Sequence, residues 1–205
     1  TPPRHFSYPS RRTASVPPRP MERLDNRLRD RIGQYAHDFE IPGVAGQVQH
    51  LATLLESHRA IAMVFMCNHC PFVRAYLSRI QALQEEFLPQ RITILGINPN
   101  DPNKSLDDDF EAMKRFAAEQ KLNFPYLWDS TQDVARSFQA EFTPQAFVVD
   151  SQFVLRYIGA IDDEPQSPDA VKHSYLQEAL QAIIDGTEVS TTFTEAIGCS
   201  IKWRR

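Results

Sequence analysis

Glycine is scarce in this chain, seven residues in 205, and none falls in a G-x-G-x-x-G arrangement. Without that loop there is no backbone cradle for a pyrophosphate, so a nucleotide is not expected, nor is any other cofactor. Cysteine is scarcer still. Three residues, two of them at Cys67 and Cys70, are too few for a disulfide framework. A lone C-x-x-C in a βαβ context reads instead as redox-active, in a compartment that keeps thiols reduced. Long hydrophobic runs are missing too: the apolar run at 60–67 is far too short to span a membrane, so no membrane partner is expected. There is no Ser-His-Asp pattern and no internal repeat.

Charge is unevenly placed. Residues 1–20 hold four arginines, six prolines and no acid, while the rest of the chain has a net charge of −8. An acidic body argues against a nucleic-acid surface. The proline-rich start cannot bury enough apolar surface to offset its ordering entropy, so residues 1–31 are expected to be a disordered extension, with a short charged surface helix within 21–31. Residues 1–20 have the acid-free look of an organelle-targeting segment, but the prolines prevent an amphipathic helix, and a leader ahead of Met21 is the preferred reading. Cytoplasmic placement follows, with an organellar stroma or matrix as the alternative. With 42% hydrophobic residues, the remainder can fill one core: a domain over 32–186 and a tail over 187–205 that packs on it.

The chain is organised around Ala60–Phe72. Ala60–Met66 reads as a buried strand, Cys67-Asn68-His69-Cys70 follows, and Pro71 suits the first turn of a helix. Phe72, Tyr76, Leu77, Ile80, Leu83 and Phe87 make that helix's apolar stripe, and Ile92–Ile97 is a second buried strand, completing a right-handed βαβ unit. A hairpin over 39–48 and a helical turn over 51–57 precede it. A helix over Asp107–Glu119 with acids in its first turn, an extended 124–128, a short helix capped by Asp129 or Ser130, a hairpin over 146–158, and a last helix from Ser167-Pro168 to Gly186 complete the order.

This order, a βαβ half and a ββα half around C-x-x-C, resembles the thioredoxin-like superfamily, and within it the branch of the alkyl-hydroperoxide-reductase and thiol-specific-antioxidant domain. The matching residues are Asp38-Phe39-x-Ile41-Pro42-Gly43, Cys67-Asn68-His69-Cys70-Pro71, Gly96-Ile97-Asn98-x-Asn100-Asp101, Phe124-Pro125-Tyr126-Leu127, Thr143-Pro144, Ile161-Asp162-Asp163 and Gly198-Cys199-Ser200-Ile201-Lys202-Trp203. The resemblance implies an α/β fold, a central mixed sheet flanked by helices. It also implies a cis Thr143–Pro144 peptide facing the cysteine pair.

The chemistry expected is thiol–disulfide exchange, with Cys67, at the more exposed end, as nucleophile and Cys70 as resolving thiol. Asn68 and His69 lie between them, and His69 is expected to lower the Cys67 pKa. Thr143 and Pro144 support the site, with the backbone of residue 143 free to pair with an extended substrate. Cys199 is a candidate third redox thiol, or an unreactive one in a docked tail. Expected partners are protein or small-molecule disulfides. Peroxides are the alternative, but peroxiredoxins place a hydroxyl three residues before the reactive Cys and a Pro seven before, where this chain has Val64 and Ala60. Copper or zinc binding by Cys67 and Cys70 with His69 or Cys199 is a further alternative, without a second C-x-x-C to support it. The buried acid that thioredoxins carry before the cysteines is missing from 60–66, which leaves His69 or Glu40 for proton handling.

Overall fold

The computed structural model describes residues 26–204. The expected disorder and targeting character of residues 1–20 lie outside that range. Residues 26–29 are helical, and Leu28 and Arg31 are buried rather than at the surface.

Five strands form the central sheet: β3 (Ala60–Phe65), β4 (Ile92–Asn98), β5 (Tyr126–Trp128), β7 (Gln145–Asp150) and β8 (Leu155–Gly159). Their order is β5-β4-β3-β7-β8. β3 runs parallel to β4 and antiparallel to β7, so the sheet is mixed. Ahead of it lie a hairpin, β1 (Glu40–Pro42) with β2 (Val48–His50), and α1 (Leu51–Ser57).

β3 is buried along its whole length because both faces of the sheet are covered. Alternation then divides its side chains. Ala60, Ala62 and Val64 face the core under α2 (Pro71–Phe87), α3 (Phe110–Glu119) and α5 (Tyr175–Asp185). Ile61, Met63 and Phe65 face the other core, with Leu51 and Leu55 of α1 and Phe138 of α4 (Asp133–Phe138).

α2 forms where the sequence predicts it, with Pro71 at its first position and Cys70 as N-cap. Its buried stripe begins at Val73 rather than Phe72, and includes Gln84, whose Oε1 accepts the Ile94 N–H at 2.7 Å. Two helices start later than the sequence suggests. α3 begins at Phe110, because Asp109 is its cap, accepting the Ala112 N–H at 2.7 Å. Leu106–Asp108 is a separate 3₁₀ turn. α5 begins at Tyr175, because Asp163 holds the segment before it through the N–H groups of Lys172 and His173. Asp129 caps α4 from outside, its carboxylate reaching the N–H of Ala135 at 2.8 Å.

The C-terminal tail crosses the molecule. The Ile158 N–H donates to Thr192 O, and β9 (Cys199–Ser200) pairs antiparallel with β6 (Phe142–Thr143). Beyond β9, Ile201 is buried, and Lys202 is held by Asn100 and Gln132. Among the described residues no helix is long and apolar enough to cross a membrane.

Candidate active site

The site forms where β3 ends and α2 begins. Cys67 and Cys70 are both fully buried, with 0% exposure. All three cysteines are free thiols. Cys67 Sγ lies 3.4 Å from Thr143 Oγ1, and Cys70 Sγ donates to Thr143 O at 3.1 Å. The Thr143–Pro144 peptide is cis. Cys199, on β9, is only partly buried and brings its Sγ to 2.8 Å from Cys70 Sγ.

Asn68 explains why the motif turns inward. Its N–H donates to Asp108 Oδ1 at 2.8 Å, its amide N donates to Asp107 O at 2.5 Å, and its amide O accepts from Tyr126 OH at 2.8 Å. Arg74 Nε donates to its carbonyl at 3.0 Å. A loop anchored at four points keeps Cys67 out of solvent. The expectation that Cys67 is the exposed thiol is therefore corrected.

Asp108 is the buried acid of the site. Besides the Asn68 N–H, it accepts from Asn98 at 3.1 Å, from Asn100 at 2.9 Å and from Ser105 Oγ at 2.7 Å, and His69 Nδ1 lies 2.7 Å from it. Burial alone would raise its pKa. The hydrogen bonds from Asn100, Asn68 and Ser105, together with His69, outweigh burial and hold it below the usual carboxylate value. Sequence reading missed this residue because Asp107-Asp108-Asp109 looks like the acidic first turn of a helix. Three successive acids where one cap suffices was the available signal. Glu40, the other suggested proton-handling group, is exposed on β1.

His69 is turned toward Asp108 and Ser105 Oγ, 3.0 Å away, and makes no hydrogen bond to Cys67. The Cys67 thiol is pushed up rather than down: by its hydrogen bond with Cys70 first, then by burial and by the Asp108 charge. Cys70 moves the opposite way. Hydrogen bonding from Cys67, and further from Cys199, lowers it against the opposing effect of burial. Its position as N-cap of α2 favours the same sign of charge. Burial and the neighbouring Cys70 raise Cys199.

A further expectation changes. The backbone edge at residue 143 is not free for a substrate: Thr143 and Phe142 pair with Cys199 and Ser200. Gly198 permits this contact, since a Cβ there would sit 2.2 Å from Thr143 O. Where Val64 offers no hydroxyl, Thr143 Oγ1 lies 3.4 Å from Cys67 Sγ. The Asn98–Asp101 loop is buried, binding Asp108 on one side and the tail on the other.

Cys67, His69 and Asp108 place potential metal donors within 4.8 Å of one another. The Asp108 oxygens are already engaged by protein donors, which leaves this group poorly suited to a metal.

Comparison with known proteins covers most of this architecture. Residues 32–158 match the AhpC/TSA family. A crystal structure of an uncharacterized conserved protein from Geobacillus kaustophilus is 34% identical, with a TM-score of 0.79, over 84% of this chain and 92% of that one. A peroxidoxin from Mycobacterium tuberculosis (21% identity, TM-score 0.57, 76% of this chain and 97% of that one) shares the fold. So does a putative thiol:disulfide interchange protein from Chlorobium tepidum (18% identity, TM-score 0.57, 76% and 96%). No curated protein matches. The fold is thioredoxin-like, a mixed sheet between helices. The family match stops at residue 158, short of the tail and Cys199.

Proposed function

We propose that this chain, which belongs to the AhpC/TSA family, is a thiol–disulfide oxidoreductase that cycles Cys67 and Cys70 between dithiol and disulfide. Redox chemistry at thiols comes with the family; the choice of disulfide exchange rests on the site. The carrying observation is the pair itself: two free, buried thiols at the head of α2, Cys70 as its N-cap, with Thr143 and its cis peptide to Pro144 against both. A thiolate beside a protonated thiol at a helix N-terminus is poised for exchange. Oxidation forms the Cys67–Cys70 bond and sends two electrons to a disulfide, whose halves leave as thiols. Thr143 and cis Pro144 wall the pair, while Asn68 and His69 hold the loop through Asp108. A cell compartment with a reducing thiol pool, the cytoplasm in the first instance, is the setting this reading implies.

Peroxide reduction is the second reading, favoured by the Thr143 hydroxyl 3.4 Å from Cys67 Sγ. Against it, Cys67 is buried and faces the Asp108 charge, which disfavours the thiolate a peroxide requires. The test is to equilibrate the protein in glutathione buffers of graded poise, quench with acid, alkylate and map the peptides. One reversible Cys67–Cys70 disulfide is expected. Its absence at every poise contradicts the proposal.

A further inference from the structure

The two sulfurs of the C-x-x-C pair are shut away from solvent, yet a redox pair must exchange electrons with something outside. Direct attack on an external disulfide needs a path to Cys67 or Cys70, and both are fully buried. The third sulfur is placed to bridge that gap. Cys199 is partly exposed and lies 2.8 Å from Cys70 Sγ, closer than two unbonded sulfurs ordinarily pack and with little movement needed to reach the roughly 2.05 Å of a disulfide.

Its position is fixed on both sides. Upstream, Thr194 Oγ1 accepts from the Ala160 N–H at 2.9 Å and contacts Tyr157 OH at 2.7 Å. At the site, the β6–β9 pairing sets Cys199 opposite Thr143. Downstream, the Ile201 N–H donates to Glu141 O at 2.9 Å, the Lys202 N–H to Asn100 Oδ1 at 2.9 Å, and the Arg204 N–H to Gln132 Oε1 at 2.8 Å. The end of β8, β6 with the residue before it, the Asn98–Asp101 loop and Gln132 thus hold a strand whose one sulfur meets Cys70.

We infer that Cys199 is the thiol through which the buried Cys67–Cys70 pair exchanges with a low-molecular-weight disulfide, an inference that rests on the exchange function proposed above. The substrate class follows from the same strand. The backbone edge at Phe142 and Thr143, where an extended polypeptide would add as a β-strand, is already filled by β9. A small disulfide needs only to reach Cys199, the partly exposed one of the three cysteines.

The steps balance as follows. Cys199 gives up its proton to solvent and attacks R–S–S–R; the R–S–S–R bond breaks, Cys199–S–S–R forms, and one RS⁻ leaves, taking a proton from solvent. The Cys70 thiolate attacks the Cys199 sulfur, forming Cys70–Cys199 and expelling the second RS⁻. Cys67 gives up its proton and attacks Cys70, forming Cys67–Cys70 and releasing Cys199, which is reprotonated from solvent. Two electrons pass from Cys67 and Cys70 to R–S–S–R. Both R groups leave as thiols once the Cys67 proton and solvent are counted.

The experiment uses oxidised glutathione with four forms of the full chain: wild type, Cys199→Ser, Cys199→Ala and Cys67→Ser. Cys67→Ser blocks the last step, and a Cys70–Cys199 disulfide is expected to accumulate in its peptide map. In both Cys199 variants, formation of Cys67–Cys70 is expected to slow by roughly tenfold or more. Circular dichroism and urea midpoints verify that the variants are folded. Formation of Cys67–Cys70 at the wild-type rate in both Cys199 variants, or no Cys70–Cys199 bond in Cys67→Ser, overturns the relay and leaves the exchange function standing. Failure of wild type to form any Cys67–Cys70 bond overturns both.

Discussion

Cys70 is the N-cap of α2 and interacts with both neighbouring thiols, which lower it, whereas Cys67 faces the buried Asp108 carboxylate. The reduced protein is therefore expected to retain one thiolate well below the free-cysteine value of about 8.5. Ultraviolet absorbance against pH reads it. Cys70→Ser removes the low-pH thiolate. Cys199→Ala moves it upward, because one donor to Cys70 is lost. His69→Ala leaves it in place, because His69 is bonded to Asp108 rather than to either sulfur. At Asp108 itself, Asp108→Asn replaces a carboxylate that only accepts with an amide that also donates, among groups that already donate. The loss is expected to be roughly 2–3 kcal/mol in urea unfolding at neutral pH. The carboxyl's folded pKa lies below its unfolded value. Its stabilisation is thus full above about pH 3.9 and is lost as pH falls through the folded pKa. The gap between wild type and Asp108→Asn should narrow over that acid range and nowhere above it.

At the scale of elements, the tail strand governs access. Gly198 lies against the Thr143 carbonyl, leaving no room for a side chain. Gly198→Ala is expected to detach β9 from β6 and to expose Cys70, raising its alkylation rate by iodoacetamide roughly tenfold while the central sheet persists. Unchanged alkylation would mean the tail does not seal the site. Strands and the motif helix were legible in the sequence because their cues are local. Ala60–Met66 is continuously apolar, and Pro71 marks the start of α2. The start of α3 was not legible. Asp107, Asp108 and Asp109 are equivalent in propensity, and only tertiary partners, Asn68, Asn98 and Asn100, decide that the middle one turns inward. The start of α5 was displaced for the same kind of reason, a distant carboxylate claiming its leading N–H groups.

For the whole molecule, the order of elements and the cysteine spacing carried the family resemblance, and that resemblance implied a mixed sheet with Cys67, Cys70, Thr143 and Pro144 at one end. The seclusion of that end was not foreseeable, because it comes from residues far apart in sequence: Tyr126 and Asp108 locking Asn68, and β9 closing over β6. The choice of disulfide exchange over peroxide reduction rests on Cys67, whose thiolate is disfavoured by its hydrogen bond with Cys70, by burial and by the Asp108 charge. The most direct measurement is to mix the fully reduced protein with oxidised glutathione and, separately, with hydrogen peroxide at neutral pH and to follow closure of the Cys67–Cys70 bond by rapid quench and mass. Rapid closure with the disulfide, with peroxide reacting no faster than with a free thiol, is the predicted result. Closure driven by peroxide at rates far above a free thiol, with the disulfide inert, would contradict it.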